Sequence, residues 1–229
     1  MKIATGGGKI KIGVAGMGNL NIGNYFIDPR DGTRYKTVQI GNQIWMAENL
    51  KYLPSVSPSN VGSETDPFYY VYGYQGTDIL AAKATDNYKT YGVLYNWEAA
   101  KASCPKGWHL PSDTEYKTLE MCLGMTQEQA DATGWRGTDE GGKLKEAGTT
   151  HWISPNTGAT NSSGFTALPA GYRYADGSFS SIGSHTAFWS SSASSSSLAR
   201  YRNLGTSSST VNRNNSNKAY GFSVRCLRD

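Results

Sequence analysis

Alternating apolar and polar positions predict β-strands along much of the chain. Residues 35–50 form two alternating runs around Gly41 and Asn42, a pair typical of tight turns, and this pattern predicts a hairpin. Beyond position 151, short alternating runs are separated by turn residues. There we predict strands over 164–173, 186–192, 199–204, 210–213 and 221–227.

Two helices have clear start signals. Asn96 is a suitable N-cap and precedes good helix formers, so we predict a helix over 97–103. Ser112 and Glu115 have the spacing of a capping box, in which each side chain bonds the backbone N–H of the other residue. This box predicts a second helix over 113–123.

The remaining segments carry weaker signals. Residues 53–90 are polar and rich in Tyr, Pro and Gly, which predicts a long loop region, and shorter helices are expected near 127–132 and 141–147. Residues 1–24 are Gly-rich, but their GVAGMGN motif lacks the third glycine and the apolar helix of a dinucleotide loop. We therefore predict an N-terminal connector or oligomerisation segment, followed by one main domain over 25–229.

A Ser/Asn-rich tract, at about 189–220, is held between an aromatic segment and a terminal strand over 221–227. In that strand Phe222, Val224 and Cys226 alternate with residues of the other face, which predicts one face on a core. A disordered linker does not usually end in such a strand. The pattern instead indicates a rigid scaffold that displays a polar surface.

Composition and charge narrow the function classes. The chain has 229 residues with 15 Tyr and 6 Trp, enough rings to build a core with few aliphatic side chains. The formal charge is +4, and the part after Trp152 carries seven basic and two acidic residues. No dense Lys/Arg cluster with interleaved aromatics is present, so we expect a solvated, mildly basic face and no nucleic-acid partner.

Neither membrane insertion nor export is indicated. No apolar run approaches the roughly 20 residues that span a bilayer. The N-terminus has no apolar segment and no small-residue cleavage site, so no signal peptide is visible. Either the protein is not exported by that route or its leader is not part of this sequence.

Motifs for catalysis are not found. The chain has three histidines, at His109, His151 and His185. They are far apart and lack metal-ligand spacing, and no GxSxG, HExxH or P-loop motif occurs. We therefore expect a protein that is not an enzyme and that has neither a metal nor a cofactor.

The three cysteines leave two interpretations open. They are Cys104, Cys122 and Cys226. Cys104 and Cys226 lie in segments with structural signals, so they either pair in an oxidising compartment or remain buried free thiols.

Four ordered segments resemble the Fib-succ-major domain family, and the resemblance covers about 25–229. They are YGVLYNWEAAKASCPKGWHLPSDTEYKTLE (91–120), GFTALPAGYRYADGSF (164–179), FWSSS (188–192) and GFSVRCLRD (221–229). The resemblance implies an α+β domain with a C-type-lectin-like fold. It implies two main helices, mixed and antiparallel strands, long loops, and termini brought together by the last strand.

The tail is also similar to the variable proteins of diversity-generating retroelements, in which a reverse transcriptase randomises template adenines and turns AAY codons into NNY. From 190 to 217 every residue is one that NNY encodes. The resemblance implies that the diversified, ligand-binding positions are Ser195, Ser197, Leu198, Arg200, Tyr201, Gly205, Thr206, Ser208, Thr210, Ser216 and Tyr220.

The sequence thus predicts a ligand-recognition, or receptor-binding, protein. Its variable region, at about 189–220, is expected to bind a protein or a glycan on a target cell surface, and an oligomer is compatible with this expectation. The missing signal peptide favours a phage tail protein. The alternatives are a bacterial cell-surface adhesin, a structural surface module without diversification and, less favoured, an enzyme of the formylglycine-generating type, which shares the lectin-like fold.

Overall fold

The computed structural model describes residues 25–229. The predicted connector or oligomerisation segment at 1–24, with its GVAGMGN motif, lies outside the described residues. The described part is an α+β fold with many short elements. Its strands are β1 (Tyr25–Ile27), β2 (Arg34–Ile40), β3 (Gln43–Met46), β4 (Tyr69–Tyr70), β5 (Leu94–Tyr95), β6 (Trp108–His109), β7 (Gly134–Arg136), β8 (Ala170–Arg173), β9 (Phe179–Ile182), β10 (His185–Ala193), β11 (Leu198–Gly205), β12 (Val211–Asn217) and β13 (Leu227–Arg228). Its helices are α1 (Ile79–Ala84), α2 (Asp86–Tyr91), α3 (Trp97–Ser103), α4 (Asp113–Cys122), α5 (Gln127–Asp131) and α6 (Glu140–Leu144).

A five-stranded sheet contains strands from both ends of the domain, in the order β1-β2-β3-β13-β6. The predicted hairpin is confirmed as β2 and β3. Its turn requires glycine, because Gly41 has φ +59° and a Cβ there would lie 2.9 Å from Cys122 Sγ. Since β13 pairs with β3 and with β6, the last strand lies in the same sheet as β1.

The Ser/Asn-rich tract forms the centre of a six-stranded sheet, in the order β7-β12-β11-β10-β8-β9. Strands β10, β11 and β12 are antiparallel, and β11 pairs with β12 without interruption from Leu198↔Asn217 to Asn203↔Asn212. Strand β12 continues past the predicted end at 213. The prediction stopped there because positions 214–217 carry only Asn and Ser, so no apolar alternation is visible.

Local signals place the helices well, except in the region expected to be a loop. The predicted helices at 97–103 and 113–123 are confirmed as α3 and α4, and both halves of the capping box between Ser112 and Glu115 are present. Residues 53–90, by contrast, contain β4, α1 and most of α2. Helices of six residues are too short to show a helical periodicity in the sequence.

Aromatic rings form much of the core, in two clusters. The first is built around Trp189, Phe222 and Tyr95, and the second around Trp45 and Phe165. This agrees with a core that relies on rings more than on aliphatic side chains.

The terminal segment 221–227 differs from its prediction. Phe222, Val224 and Cys226 do lie in the core, but Ser223 and Arg225 on the other side are also 0% exposed. The segment is buried on both sides because it lies between the two large sheets: Met46 N of β3 donates to Cys226 O, and Trp189 N of β10 donates to Ser223 O. The predicted core face is confirmed, but the other side is buried as well, and regular strand structure is limited to β13.

The cysteine alternatives are resolved by a Cys104–Cys226 disulfide with a Cα–Cα distance of 5.8 Å, which leaves Cys122 as an exposed free thiol. The bond ties the end of α3 to the buried terminal segment. Within 25–229, none of the helices combines the length and the apolar character that crossing a bilayer requires.

Candidate functional site

The side chains of β11 and β12 alternate between two sides of the six-stranded sheet. On one side lie Arg202 and Arg213, which reach helix α4. Arg202 donates to Asp113 Oδ1 at 2.7 Å and to Glu120 Oε1 at 2.6 Å. Arg213 donates to Asp113 Oδ2 at 2.7 Å. These ion pairs anchor both strands to α4.

This ion-pair network is buried and also includes β7, because Arg136 pairs with Glu120. Burial alone would raise the pKa of Asp113, but Arg213 and Arg202 outweigh it and hold the pKa well below its usual range. Removing one partner from such a network leaves an uncompensated buried charge. The fold therefore requires these positions of β11 and β12.

The opposite side of the same strands carries a set of neutral side chains, which we call the Asn–Tyr face: Tyr201 and Asn203 of β11, with Asn212, Asn214 and Ser216 of β12. Tyr201 lies opposite Asn214, and Asn203 lies opposite Asn212. Asn214 is exposed and the other four are half-buried. The side-chain oxygens of Asn203 and Asn212 are buried and have no hydrogen-bond partner within the described residues.

Tyr201 of this face also belongs to a group of four half-buried tyrosines, which we call the tyrosine cluster: Tyr172, Tyr174, Tyr201 and Tyr220. The ring centroids of Tyr174 and Tyr220 are 5.5 Å apart, and those of Tyr172 and Tyr174 are 5.2 Å apart. Phe222 supports the cluster from the core, with its centroid 5.0 Å from that of Tyr201. The four rings thus pack against one another and against Phe222, and each remains partly exposed.

Sequence reasoning missed Tyr172 and Tyr174, because both precede the Ser/Asn-rich tract. The available signal was the GYRYADGS motif, in which two tyrosines alternate ahead of a turn at Asp176 and Gly177. Residues two apart share one side of a strand. Their pairing with Tyr220 depends on a contact across 46 positions of chain, which the local pattern does not contain.

The face and its surroundings carry little charge. Burial raises the pKa of Tyr172 to about 12 and also raises that of Tyr201, so these phenols stay neutral at physiological pH. Trp135 of β7 lies opposite Asn212 and is 48% exposed. Beside it, burial lowers the pKa of His185. The chemistry on offer is aromatic stacking together with neutral hydrogen-bond donors and acceptors.

The eleven sequence-predicted ligand-binding residues do not all share this face. Tyr201, Ser216 and Tyr220 lie there or on its tyrosine border. By the alternation of β11, Leu198 and Arg200 lie on the opposite side, with Arg202. The others occupy turns at the two ends of β11: Ser195 and Ser197 towards β10, and Ser208 and Thr210 towards β12. One face that contains the whole set is therefore not formed.

Gly205 and Thr206 are buried, and this corrects their expected place on the surface. Thr206 is 7% exposed, its hydroxyl donates to Ile153 O, and the same oxygen accepts from Asn156 N at 3.2 Å. At Gly205 a Cβ would lie 3.0 Å from His185 Nε2. The fold uses the Thr206 side chain and leaves no open space at Gly205.

The expected solvated basic face is also wrong. Of the seven basic residues after Trp152, five are buried: Arg173, Arg202, Arg213, Lys218 and Arg225. Arg225 bonds Asn49 Oδ1 at 2.7 Å and Phe165 O at 2.6 Å, and Arg173 bonds Ser59 O at 2.7 Å. Most of the positive charge of this half therefore links segments inside the domain.

Among residues 25–229 no group of three or more His, Cys, Asp or Glu side chains is placed to hold a metal ion. The histidines serve other contacts in this part of the chain. His109 Nδ1 lies 2.6 Å from Asp229 Oδ1 and His109 Nε2 lies 2.9 Å from Glu115 Oε1, while His151 pairs with Glu146.

Residues 38–228 match the family model of the Fibrobacter succinogenes major domain. No curated protein and no solved structure matches the chain.

Proposed function

We propose that the chain, which belongs to the Fibrobacter succinogenes major domain family, is a ligand-recognition protein whose Asn–Tyr face and tyrosine cluster bind a partner on a target cell surface. One observation carries the proposal. Along β11 and β12, the arginines that hold the strands to α4 alternate with neutral side chains on the other side of the sheet, and Asn214 among these is exposed.

The chemistry of the face suits recognition. Tyr and Trp supply large contact area at low entropic cost, and Asn and Ser supply adaptable hydrogen bonds. Because the face is neutral, we expect an uncharged surface on a protein or a glycan rather than a nucleic acid. The tyrosine cluster is held by Phe222 and its own ring contacts, so little order would be lost on binding.

A paired substitution tests the site. Asn214→Arg places a charge on the exposed centre of the face, and Thr118→Arg places the same charge on an exposed position of α4. We expect both to change the unfolding free energy by less than about 0.5 kcal/mol. Only Asn214→Arg should weaken binding of the labelled chain to a panel of bacterial cells and a glycan array, by tenfold or more. Equal binding by both variants would exclude this face.

We further propose that the tail is a product of a diversity-generating retroelement. In support, positions 190–217 contain only residues that NNY codons encode. The same open face tolerates exchange, because surface substitutions away from special contacts cost little. The genomic neighbourhood tests this: a reverse transcriptase gene and a near-copy of the tail with adenine-rich codons are expected, and their absence would remove the proposal.

The C-type-lectin-like fold belongs to the same proposal. It is supported by a terminal strand that lies in one sheet with β1, and by a long non-repetitive region between β3 and α3. An experimental structure whose strand order differs from that of lectin-like domains would contradict it.

A bacterial surface adhesin is the second candidate, and the disulfide favours it. Disulfides form and persist mainly in oxidising compartments, whereas a phage tail protein assembles in a reducing cytoplasm. Chain purified from its own source should then carry no reactive thiol at Cys104. Rapid maleimide labelling of Cys104 in that material would instead favour a phage tail protein.

The enzyme alternative requires a reactive cysteine pair at a substrate groove. Cys104 and Cys226 are joined to each other, and Cys226 lies in the core. Thiol alkylation of the folded chain discriminates: labelling confined to Cys122 favours recognition, and fast labelling of two cysteines favours the enzyme.

A further inference from the structure

Lys145, which follows α6, ends in a cage of backbone oxygens. The residue is 0% exposed. Its ammonium donates to Thr157 O at 3.0 Å, to Gly205 O at 3.0 Å and to Ser208 O at 2.8 Å. All three hydrogen bonds of the ammonium are therefore made to neutral carbonyls.

The ammonium has no carboxylate partner within 25–229. Glu146, its chain neighbour, pairs with His151 at 2.9 Å. The Trp152 ring covers the charge from a centroid distance of 5.3 Å. Burial lowers the pKa of Lys145 to about 8. An unpaired buried charge is costly unless dipoles surround it, and the three carbonyls are the dipoles that do so.

We propose that the three carbonyls form a cation site that the chain fills with its own Lys145, and that this ammonium fixes the turn between β11 and β12. Carbonyl oxygens that converge on one point repel each other unless a positive charge lies between them. Proteins commonly meet that need with a bound metal ion. Here a tethered ammonium meets it, so the site needs no ion from solution.

The surrounding contacts make the turn depend on this charge. Gly205 O lies where the turn begins, Ser208 O lies in the middle of the turn, and Thr157 O belongs to a separate loop. Gly142 N donates to Ser209 O at 2.9 Å, and a Cβ at Gly141 would lie 2.2 Å from Thr210 O. The turn is thus pressed against α6, and the ammonium holds its carbonyls in that position.

The ligand class of the emptied cage follows from its oxygens. Three neutral carbonyls suit a singly charged cation, whereas calcium takes six to eight oxygens, usually with carboxylates among them. In Lys145→Ala the missing group corresponds to n-propylammonium. This cation should enter the cage, and n-propanol, of similar size but neutral, should not replace it.

The test compares amide hydrogen exchange of residues 205–210 in the full chain. We expect Lys145→Ala to speed exchange there by tenfold or more. Added n-propylammonium chloride should restore most of the protection, and n-propanol at the same concentration and ionic strength should not. Lys143→Ala is the control, since that half-exposed lysine bonds Leu123 O and Asp139 and should leave the turn unchanged.

Two outcomes would overturn the inference: unchanged exchange in Lys145→Ala, or equal restoration by n-propanol, which would mean that shape and not charge is required. If Lys145→Ala does not fold, the wild-type chain still decides the matter. Its ¹⁵N-labelled Lys145 ammonium should exchange slowly with water at pH 6, and exchange as fast as that of surface lysines would refute the cage. The inference concerns the turn and stands apart from ligand binding, so either proposal can fail alone.

Discussion

Removal of the Cys104–Cys226 disulfide should cost a large part of the stability of this domain. The bond joins residues 122 positions apart. In the chain-entropy description, opening a loop of that length increases the entropy of the unfolded chain. This lowers the free energy of the unfolded state by about 5 kcal/mol at 25 °C. Single domains are stable by about 5–15 kcal/mol, so a third or more of the total is at stake.

The double variant Cys104→Ala/Cys226→Ala tests this without a reductant. Alanine avoids placing a serine hydroxyl in the core at position 226, where an unpaired polar group would add its own cost of about 1–3 kcal/mol. Cys122→Ala is the matched control, because that thiol is free and exposed. Urea unfolding at pH 7, followed by tryptophan fluorescence, gives the free energies from the midpoint and the slope.

We expect the double variant to lose about 4–5 kcal/mol and the control to lose less than about 0.5 kcal/mol. The slope should rise in the double variant, because the unfolded chain becomes more extended. A loss below about 1.5 kcal/mol with an unchanged slope would refute the reasoning. It would mean either that the bond does not form or that the unfolded chain is already restrained in that loop.

Two further predictions concern charge. Asp113→Asn removes the carboxylate between two buried arginines and should lower the free energy of urea unfolding by about 3–5 kcal/mol. Because the pKa of Asp113 is lowered in the folded state, its contribution to stability is present above the unfolded-state pKa of about 3.9 and declines as the pH falls below that value. Burial would lower the pKa of His109, but its bonds to Asp229 and Glu115 raise it. The contribution of protonated His109 to stability is under about 1 kcal/mol, because the ring is partly exposed. It is present below about pH 6.5 and is lost as the pH rises through the folded-state pKa. The difference in unfolding free energy between wild type and His109→Gln should therefore vanish at pH 9.

The parts of the fold that could be predicted depend on residues that are close together in the sequence. The capping box of α4 and the turn at Gly41 need only a few adjacent positions, and both are confirmed. The burial of Arg202 was not predictable, because its partner Glu120 lies 82 positions away and a lone arginine in a Ser/Asn-rich tract indicates solvent. The same reason explains why Tyr174 was missed as a neighbour of Tyr220.

The ligand-binding residues were predicted within one tract, but the sequence did not indicate which of them share a side of the sheet. The tract predicted to display a surface does form β11 and β12, yet composition alone does not assign its residues to one side or the other. Assignment requires the register between the strands, and register depends on which side is buried. Here that side was hard to recognise, because the buried arginines Arg202 and Arg213 alternate there with the aliphatic Leu204 and Val211.

This arrangement explains how a domain can combine a tolerant surface with a strict framework in one short tract. If aliphatic residues occupied every second position of β11 and β12, a shift in register would expose a hydrophobic side of the strands. Arginines paired to Asp113 and Glu120 fix the register by direction and charge, since a shift of one residue would break every ion pair at once. Under the proposed function, the side that faces the ligand is therefore free to change its residues without losing its place in the sheet.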